Sequence, residues 1–332
     1  MKFNSQLLRE LVSVYGPSGN ENIIRDYIKK EIGDYVDEIN VDDLGNLIAR
    51  KKGNGKKVMI AAHMDQIGFM ITDIDDKGFL RFTNIGGISP YITLSQQVIF
   101  ENGTLGVISA EPMEDISKLK LSNMFIDIGV NNKEEAEKLV DIGDICVYKS
   151  EYGENDNVVF TKCLDDRVGC FVAIETIKQI NTPVNDLYFV FTVQEEVGLR
   201  GAKTSAYRIN PDIGIAIDVT GSGDTPKAKT FAVGLNKGTA IKVKDNSILT
   251  HPKLRQIMID IAKKNDISYQ LEVLEFGGTD SGAIHLTKEG VPSGVISIPT
   301  RYVHSTIEMA SKSDIINSIK LLTKLLLDDI SL

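Results

Sequence analysis

The periodicity of the apolar residues changes twice along this chain, and that double change constrains the fold more than any single motif. Up to about residue 67 the texture is α/β. Leu7, Leu8, Leu11 and Val12 recur at helical spacing, Gly16-Pro17 breaks the helix, and a second helix is predicted through Ile23, Ile24, Tyr27 and Ile28. Ser18-Gly-Asn-Glu21 reads as a capping box for that second helix. Strands are predicted at 47–50 and 58–62, the latter an unbroken apolar run suited to a strand buried on both faces. From Gly68 to about Phe160 short alternating strands take over, with turn signals at Asp75-Asp-Lys-Gly78, Glu101-Asn-Gly103 and Asn131-Asn132 and one short helix near 134–139. After Asp165 the helix–strand rhythm returns. Helices are predicted at 168–180, 202–207, 253–264 and from Ser281, and strands at 187–193, 213–219, 269–274 and 294–298. A closing helix carries Ile315, Ile316, Ile319, Leu322 and Leu326.

Such alternation implies an α/β fold: a mixed, largely parallel sheet covered by helices on both faces. The expected organisation is one discontinuous α/β domain, residues 1–67 and 161–332, interrupted by a small β-rich domain at 68–160. At 332 residues the chain is long enough for both. Composition serves mainly to exclude. Lys+Arg 37 against Asp+Glu 46 gives a net charge of −9, with no basic stripe to neutralise phosphates, so no nucleic-acid partner is expected. No apolar run approaches the roughly 18 residues of a membrane span. Arg9 and Glu10 come before any apolar segment that would suit a signal peptide. The three cysteines, Cys146, Cys163 and Cys170, lack CxxC spacing, which argues against a disulfide framework or a thiolate zinc site and points to a reducing cytoplasm.

Five clusters carry the candidate chemistry, each where a predicted strand ends or a loop enters a helix: His63-Met-Asp65, Asp165-Asp166, Glu195-Glu196, Asp218 and His304. That rim is where α/β sheets bind ligands. Taken singly each has a plain structural explanation, such as a helix N-cap for Asp165-Asp166 or a solvated pair for Glu195-Glu196. Together, two histidines and several carboxylates offer imidazole nitrogen and carboxylate oxygen without thiolate, a donor set for zinc, cobalt or manganese. Two ions suit the inventory better than one, because a carboxylate can bridge and each ion then needs one histidine and one further carboxylate. The adjacent glutamates allow one to bind metal and the other to act as general base. No serine or cysteine has a base partner in sight, which disfavours covalent catalysis. His251 and His285 read as structural residues at helices, and Cys163 and Cys170 as core.

The ordered segments Gly16-Pro-Ser-Gly-Asn-Glu21, Ala61-Ala-His-Met-Asp-Gln-Ile-Gly68, Leu164-Asp-Asp-Arg-Val-Gly169, Gln194-Glu-Glu-Val-Gly-Leu-Arg-Gly-Ala202, Ala216-Ile-Asp-Val219, Gly277-Gly-Thr-Asp-Ser281 and Pro299-Thr-Arg-Tyr-Val-His-Ser305 span nearly the whole chain. In these the sequence resembles the M42 metallo-aminopeptidases, the tetrahedral, self-compartmentalising enzymes also named glutamyl or deblocking aminopeptidases or, in older usage, endoglucanase M. The resemblance implies two divalent metal ions per subunit, with Asp165 bridging, His63 and Asp218 completing one site, and Glu196 and His304 the other. It further implies Glu195 as general base, Asp65 orienting the His63 imidazole, and a cis peptide between Asp165 and Asp166. The β-rich insertion would be a dimerisation domain, and the dimers would build a hollow homo-dodecamer acting on short peptides.

Arg301, Tyr302, Gly278 and Asp280 are placed near the substrate, with loop structure as the competing explanation. Arg301 would favour an acidic substrate side chain unless it pairs with Asp280 or Asp166. The alternatives to an aminopeptidase are a related dinuclear carboxypeptidase or deacylase, and a metal-binding assembly without catalysis. A two-carboxylate glycosidase fits poorly, since the chain has no Trp to stack on sugar and the histidines would have no task.

Overall fold

The computed structural model describes residues 2–228 and 232–332. Helices α1 (Ser5–Ser13) and α2 (Asn22–Ile32) lead into β1 (Glu38–Val41), β2 (Leu47–Lys51) and β3 (Lys57–His63). The chain then crosses into β4 (Gly68–Ile74), β5 (Leu80–Ile85), α3 (Pro90–Thr93), β6 (Gln97–Phe100), β7 (Leu105–Ala110), β8 (Met124–Asp127), α4 (Lys133–Ala136) and β9 (Ile145–Tyr148). It continues through β10 (Gly153–Glu154), β11 (Val158–Thr161), α5 (Leu164–Gln179), β12 (Asp186–Thr192), α6 (Arg200–Ile209), β13 (Ile213–Gly221) and β14 (Thr239–Lys244). Helix α7 (Pro252–Lys264), β15 (Tyr269–Val273), α8 (Ser281–Ile284), β16 (Ser293–Arg301), β17 (Glu308–Ser311) and α9 (Lys312–Leu327) follow.

The large sheet runs β1-β2-β12-β3-β13-β16-β17-β11-β10, with β14 on β16 and β15 on β14. Its four middle strands β12, β3, β13 and β16 are parallel, and antiparallel pairs extend it on both sides. Parallel pairing is what matters for function: four strands carry their C-terminal ends to one rim. There Thr192 stands opposite His63, and Asp218 opposite Ser297. These strands are buried almost end to end, as the unalternating Val58–Ala62 run predicts. Helix α5 lies against β3 and β13 with almost every side chain buried, Phe171 and Ile174 among them. Each such large apolar side chain contributes roughly 1.5–3 kcal/mol relative to exposure, so the segment that begins with Asp165 and Asp166 is firmly anchored.

Strands β4-β5-β8-β7-β6-β9 close into a barrel with its own core around Phe69, Phe82, Val98, Phe100 and Ile126. Closure pairs every strand on both sides and leaves no open edge. Three local expectations differ from the structure. Strand β11 pairs with β17 in the large sheet and β10 pairs with β11 at its edge, so residues 153–160, expected in the insertion, hydrogen-bond there instead. Alternation identifies a strand but not its sheet. Strand β14, a buried strand beside β16, has no counterpart among the predicted elements. The capping box does not form: α2 starts at Asn22 with no side-chain cap. Ser18 Oγ instead donates to Asp65 Oδ2 at 2.6 Å, and Glu21 accepts from Gly19 N and Gln194 N at 2.8 and 3.1 Å. Tertiary partners have taken both side chains from the helix end.

Candidate metal centre

The rim brings together His63, the last residue of β3; Asp165 at the start of α5; Glu195 and Glu196, just past β12; Asp218 within β13; and His304 in the loop between β16 and β17. The Asp165–Asp166 peptide is cis. Asp165 is the centre of the arrangement. Its Oδ1 lies 3.0 Å from His63 Nε2, and its Oδ2 lies 3.1 Å from His304 Nε2. Glu196 Oε1 is 3.2 Å from His304 Nε2, while Asp218 Oδ1 and Glu195 Oε2 are 4.0 and 3.9 Å from His63 Nε2.

Both imidazoles are oriented from behind. His63 Nδ1 faces the Asp65 carbonyl at 3.2 Å and its Oδ1 at 3.5 Å, and His304 Nδ1 faces the Gly87 carbonyl at 2.7 Å. An N–H on each Nδ1 leaves the Nε2 lone pair free for a ligand. A Cβ at residue 87 would sit 3.0 Å from His304 Nδ1, so the barrel side reaches the ring because Gly87 has no side chain. Asp65, fully buried, accepts the backbone N–H of Glu195 at 3.0 Å and of Glu196 at 3.2 Å, besides the Ser18 hydroxyl. One carboxylate thereby sets the His63 ring and the pose of the glutamate pair.

Glu308 was absent from the sequence-based set. It accepts His304 N on Oε1 at 2.7 Å and Asp165 N on Oε2 at 2.9 Å, tying two of the cluster's residues together. The only local trace of it is an acidic residue opening a short strand four positions after a histidine. Ser18, Glu21 and Gly87 were likewise not assigned to the site.

Charge is the next constraint. Burial, followed by the charge of Asp218, pushes the Asp166 carboxyl well above its ordinary range, and burial then Asp165 does the same to Asp218. Burial raises Glu195 strongly too, and Glu196 less so. Burial also acts to raise Asp165, but the His304 and His63 rings outweigh it and hold that carboxyl low. Burial works against protonated His304, yet Asp165 and Glu196 push its pKa up to about 12; His63 is raised well above the usual value by Glu195, Asp165 and Asp65 against the same burial. The imidazoles thus stand in as countercharges for a surplus of buried carboxylates, a load that cations would relieve.

The residues fit divalent ions on geometric grounds as well. Glu196 Oε1 is buried and not aligned for a hydrogen bond despite its 3.2 Å approach to His304, as two donors aimed at a common point would be. Bonds of about 2.0–2.1 Å in a tetrahedron set ligand atoms about 3.3 Å apart, close to the 3.0–3.2 Å spacings around Asp165. His63, Asp165 and Glu196 bring donor atoms within 4.8 Å of one another, and so do His63, Asp166 and Asp218. Asp166 is the weaker donor: its oxygens already accept His63 N and Gly169 N at 3.2 and 3.1 Å.

The cluster opens into a cavity of about 580 Å³, whose lining also includes Leu199, Lys242, Leu274, Phe276 and Val303. Of the four residues expected near substrate, Gly278 lines it. Asp280 does not; it is buried behind the cluster and accepts the Thr192 hydroxyl at 2.5 Å. Tyr302 is exposed outside the cavity. Arg301 pairs with neither Asp280 nor Asp166: its guanidinium grips Asp224 with two bonds of 2.9 and 2.8 Å. His251 caps α7 and His285 ends α8, as structural residues would, and the three cysteines are buried and free.

The chain matches the family model for M42 glutamyl aminopeptidases over residues 45–321. It is 54% identical over 319 residues to an Acetivibrio thermocellus protein named as a candidate aminopeptidase, covering 96% of this chain and 97% of that one. Among solved structures, an aminopeptidase of Desulfurococcus kamchatkensis is 40% identical and superposes with a TM-score of 0.94, covering 97% of this chain and 94% of the other. The Pyrococcus horikoshii TET1 peptidase, described as assembling into a tetrahedron or a large octahedral shell, is 36% identical with a TM-score of 0.89, over 97% and 99% of the two chains. This chain therefore belongs to the M42 peptidase family and is an aminopeptidase.

Proposed function

We propose that the rim cluster binds two divalent ions and hydrolyses the N-terminal peptide bond of short peptides. One observation carries this reading: the two oxygens of Asp165 face the Nε2 atoms of two different histidines, each with its Nδ1 already committed. Asp165 would bridge, His63 and Asp218 would hold one ion, and Glu196 and His304 the other. When bound, zinc, cobalt or manganese ions supply Lewis acidity toward the scissile carbonyl and lower the pKa of water in the site.

The chain's own residues do the rest. Glu195 lines the cavity beside the cluster and belongs to neither proposed ligand pair, so its carboxylate is left to take the proton of the attacking water and return it to the leaving amine. Asp65 holds the His63 ring and fixes the Glu195 and Glu196 backbone, keeping base and ligand side by side. The N-terminal amine of the substrate is attracted to the carboxylate-rich rim. That attraction favours an aminopeptidase over the carboxypeptidase or deacylase alternatives, which need a site for a substrate carboxylate.

Metal analysis and peptide cleavage on two variants test the assignment. Glu195→Gln is expected to keep its ions and lose roughly 10²–10⁴-fold in turnover, whereas His304→Ala is expected to lose metal. A Glu195→Gln enzyme with near wild-type turnover would refute the base. N-acetylated peptides are expected to resist and C-amidated ones to be cleaved. The closed barrel is proposed as a dimerisation domain and the dimers as units of a dodecamer, supported by the shell described for the Pyrococcus horikoshii relative. A monomer in light scattering with metal present would contradict this. Three buried, free thiols support a reducing, cytoplasmic setting.

A further inference from the structure

The lining of the cavity beside the metal centre bears on which N-terminal residues are accepted. Among the described residues, Lys242 on β14 is the one lysine or arginine lining it. A cation there would ordinarily suggest selection of an acidic substrate side chain. Its surroundings say otherwise. The Lys242 side chain is only 1% exposed, and its ammonium makes a very short contact with Glu272 Oε1, with Asp245 Oδ2 at 3.4 Å. Glu272, on β15, is equally buried and takes a second bond from the Thr220 hydroxyl at 2.8 Å on the same oxygen. The two carboxylates outnumber the one ammonium, and both come from the chain itself.

Burial acts to lower the Lys242 pKa, but Glu272 and Asp245 outweigh it, so the group stays charged and committed to them. Drawing the ammonium toward a substrate carboxylate would leave Glu272 buried without its countercharge, which is among the costlier changes in a protein interior. The second cation of this region, Arg301, is taken by Asp224 in a two-bond grip. What the lining then offers a substrate side chain is chiefly the apolar surface of Leu199, Leu274, Phe276 and Val303.

We infer that Glu272 neutralises Lys242 and so sets the substrate preference of this aminopeptidase toward uncharged apolar N-terminal residues and against glutamate and aspartate. The inference rests on the aminopeptidase reading, and the N-terminal residue is the part of the substrate held against the metal centre. Glutamyl selectivity would require Lys242 to be released from its carboxylates. Glu272→Gln removes the nearer of the two, leaving Asp245 at 3.4 Å as the one remaining carboxylate, while keeping an oxygen for Thr220.

The test is kcat/KM of the zinc- or cobalt-loaded enzyme on the p-nitroanilides of Leu, Met, Phe, Glu, Asp and Lys. The wild type is expected to prefer Leu, Met and Phe over Glu by about tenfold or more, the scale on which an apolar pocket discriminates between side chains. Glu272→Gln is expected to raise the Glu/Leu ratio about tenfold by the same reasoning. The double variant Lys242→Met/Glu272→Gln, which removes the ammonium together with its nearer carboxylate and leaves Asp245 its bonds from Ser247 and Ile248, is expected to keep the wild-type order, and guards against loss of folding in the single variant. Best turnover of Glu, Asp or Lys by the wild type would overturn the inference, as would a folded Glu272→Gln enzyme with an unchanged ratio. Failure to cleave any of the six would overturn the aminopeptidase reading itself, and the inference with it.

Discussion

Replacing Glu308 by Gln isolates the contribution of a residue that touches neither the expected ions nor substrate. Its two oxygens have separate duties: Oε1 accepts His304 N at 2.7 Å and Oε2 accepts Asp165 N at 2.9 Å. A glutamine of the same shape offers one oxygen and one NH2. Whichever way it turns, one buried backbone N–H faces another donor. An unsatisfied buried group costs about 1–3 kcal/mol, and relief requires either Asp165 or His304 to shift. Both are proposed ligands, one on each side of the same ion, so metal affinity should bear much of the cost. At about 1.4 kcal/mol per tenfold, this corresponds to roughly a 5–100-fold loss, the range typical for residues that orient metal ligands. The metal-free protein should suffer less. Burial and the Asp165 charge push the Glu308 carboxyl up to about 8 despite its two N–H donors, so without metal it is already largely neutral near pH 7 and the substitution changes less. The assay is competition with a chromophoric chelator for each ion, beside thermal unfolding with and without metal. Affinity within twofold of wild type for both ions, with unchanged turnover, would refute this account of Glu308.

Other predictions follow from the same geometry. Metal uptake should release protons, because burial and mutual repulsion raise the carboxyls of Glu195, Glu196 and Asp218 in the ion-free protein; affinity should therefore rise with pH, and calorimetry in buffers of different ionisation enthalpy should show proton release, with buffer-independent heats counting against it. Ser18→Ala removes the 2.6 Å bond to Asp65 but leaves both glutamate N–H contacts, so turnover should fall by no more than about tenfold with metal retained. The Arg301 guanidinium, followed by other hydrogen bonds, holds the Asp224 carboxyl below its usual range despite some burial. A depressed folded-state pKa means the pair stabilises the fold above about pH 4 and ceases to as pH falls through the folded value. Asp224→Asn should thus cost about 1 kcal/mol at neutral pH, and a melting-temperature difference from wild type that persisted unchanged at low pH would refute it.

The legible part of this protein was its local pattern and its donor chemistry. The apolar run Val58–Ala62 and the helical spacing of Ile315, Ile319 and Leu322 specify buried strand and packed helix from a few neighbouring residues, and the structure has both there. Acidic and histidine residues at strand ends lie on the same rim because parallel strands share a direction. Less legible were Ser18 and Glu21, whose spacing suits a capping box equally well, and residues 153–160, whose alternation cannot say which sheet receives them.

Sequence alone therefore determined the succession of elements and the residue types able to bind metal, since both are written in spacings of two to four residues. It could not determine which oppositely charged or hydrogen-bonding groups meet. Arg301 finds Asp224 across 77 positions, and the Gly87 carbonyl orients His304 across 217. Glu272, rather than a substrate, holds the cavity's lysine. A hydrogen bond or ion pair is decided by which atoms arrive within about 3 Å, and that is a property of how the whole sheet, its helices and the barrel pack.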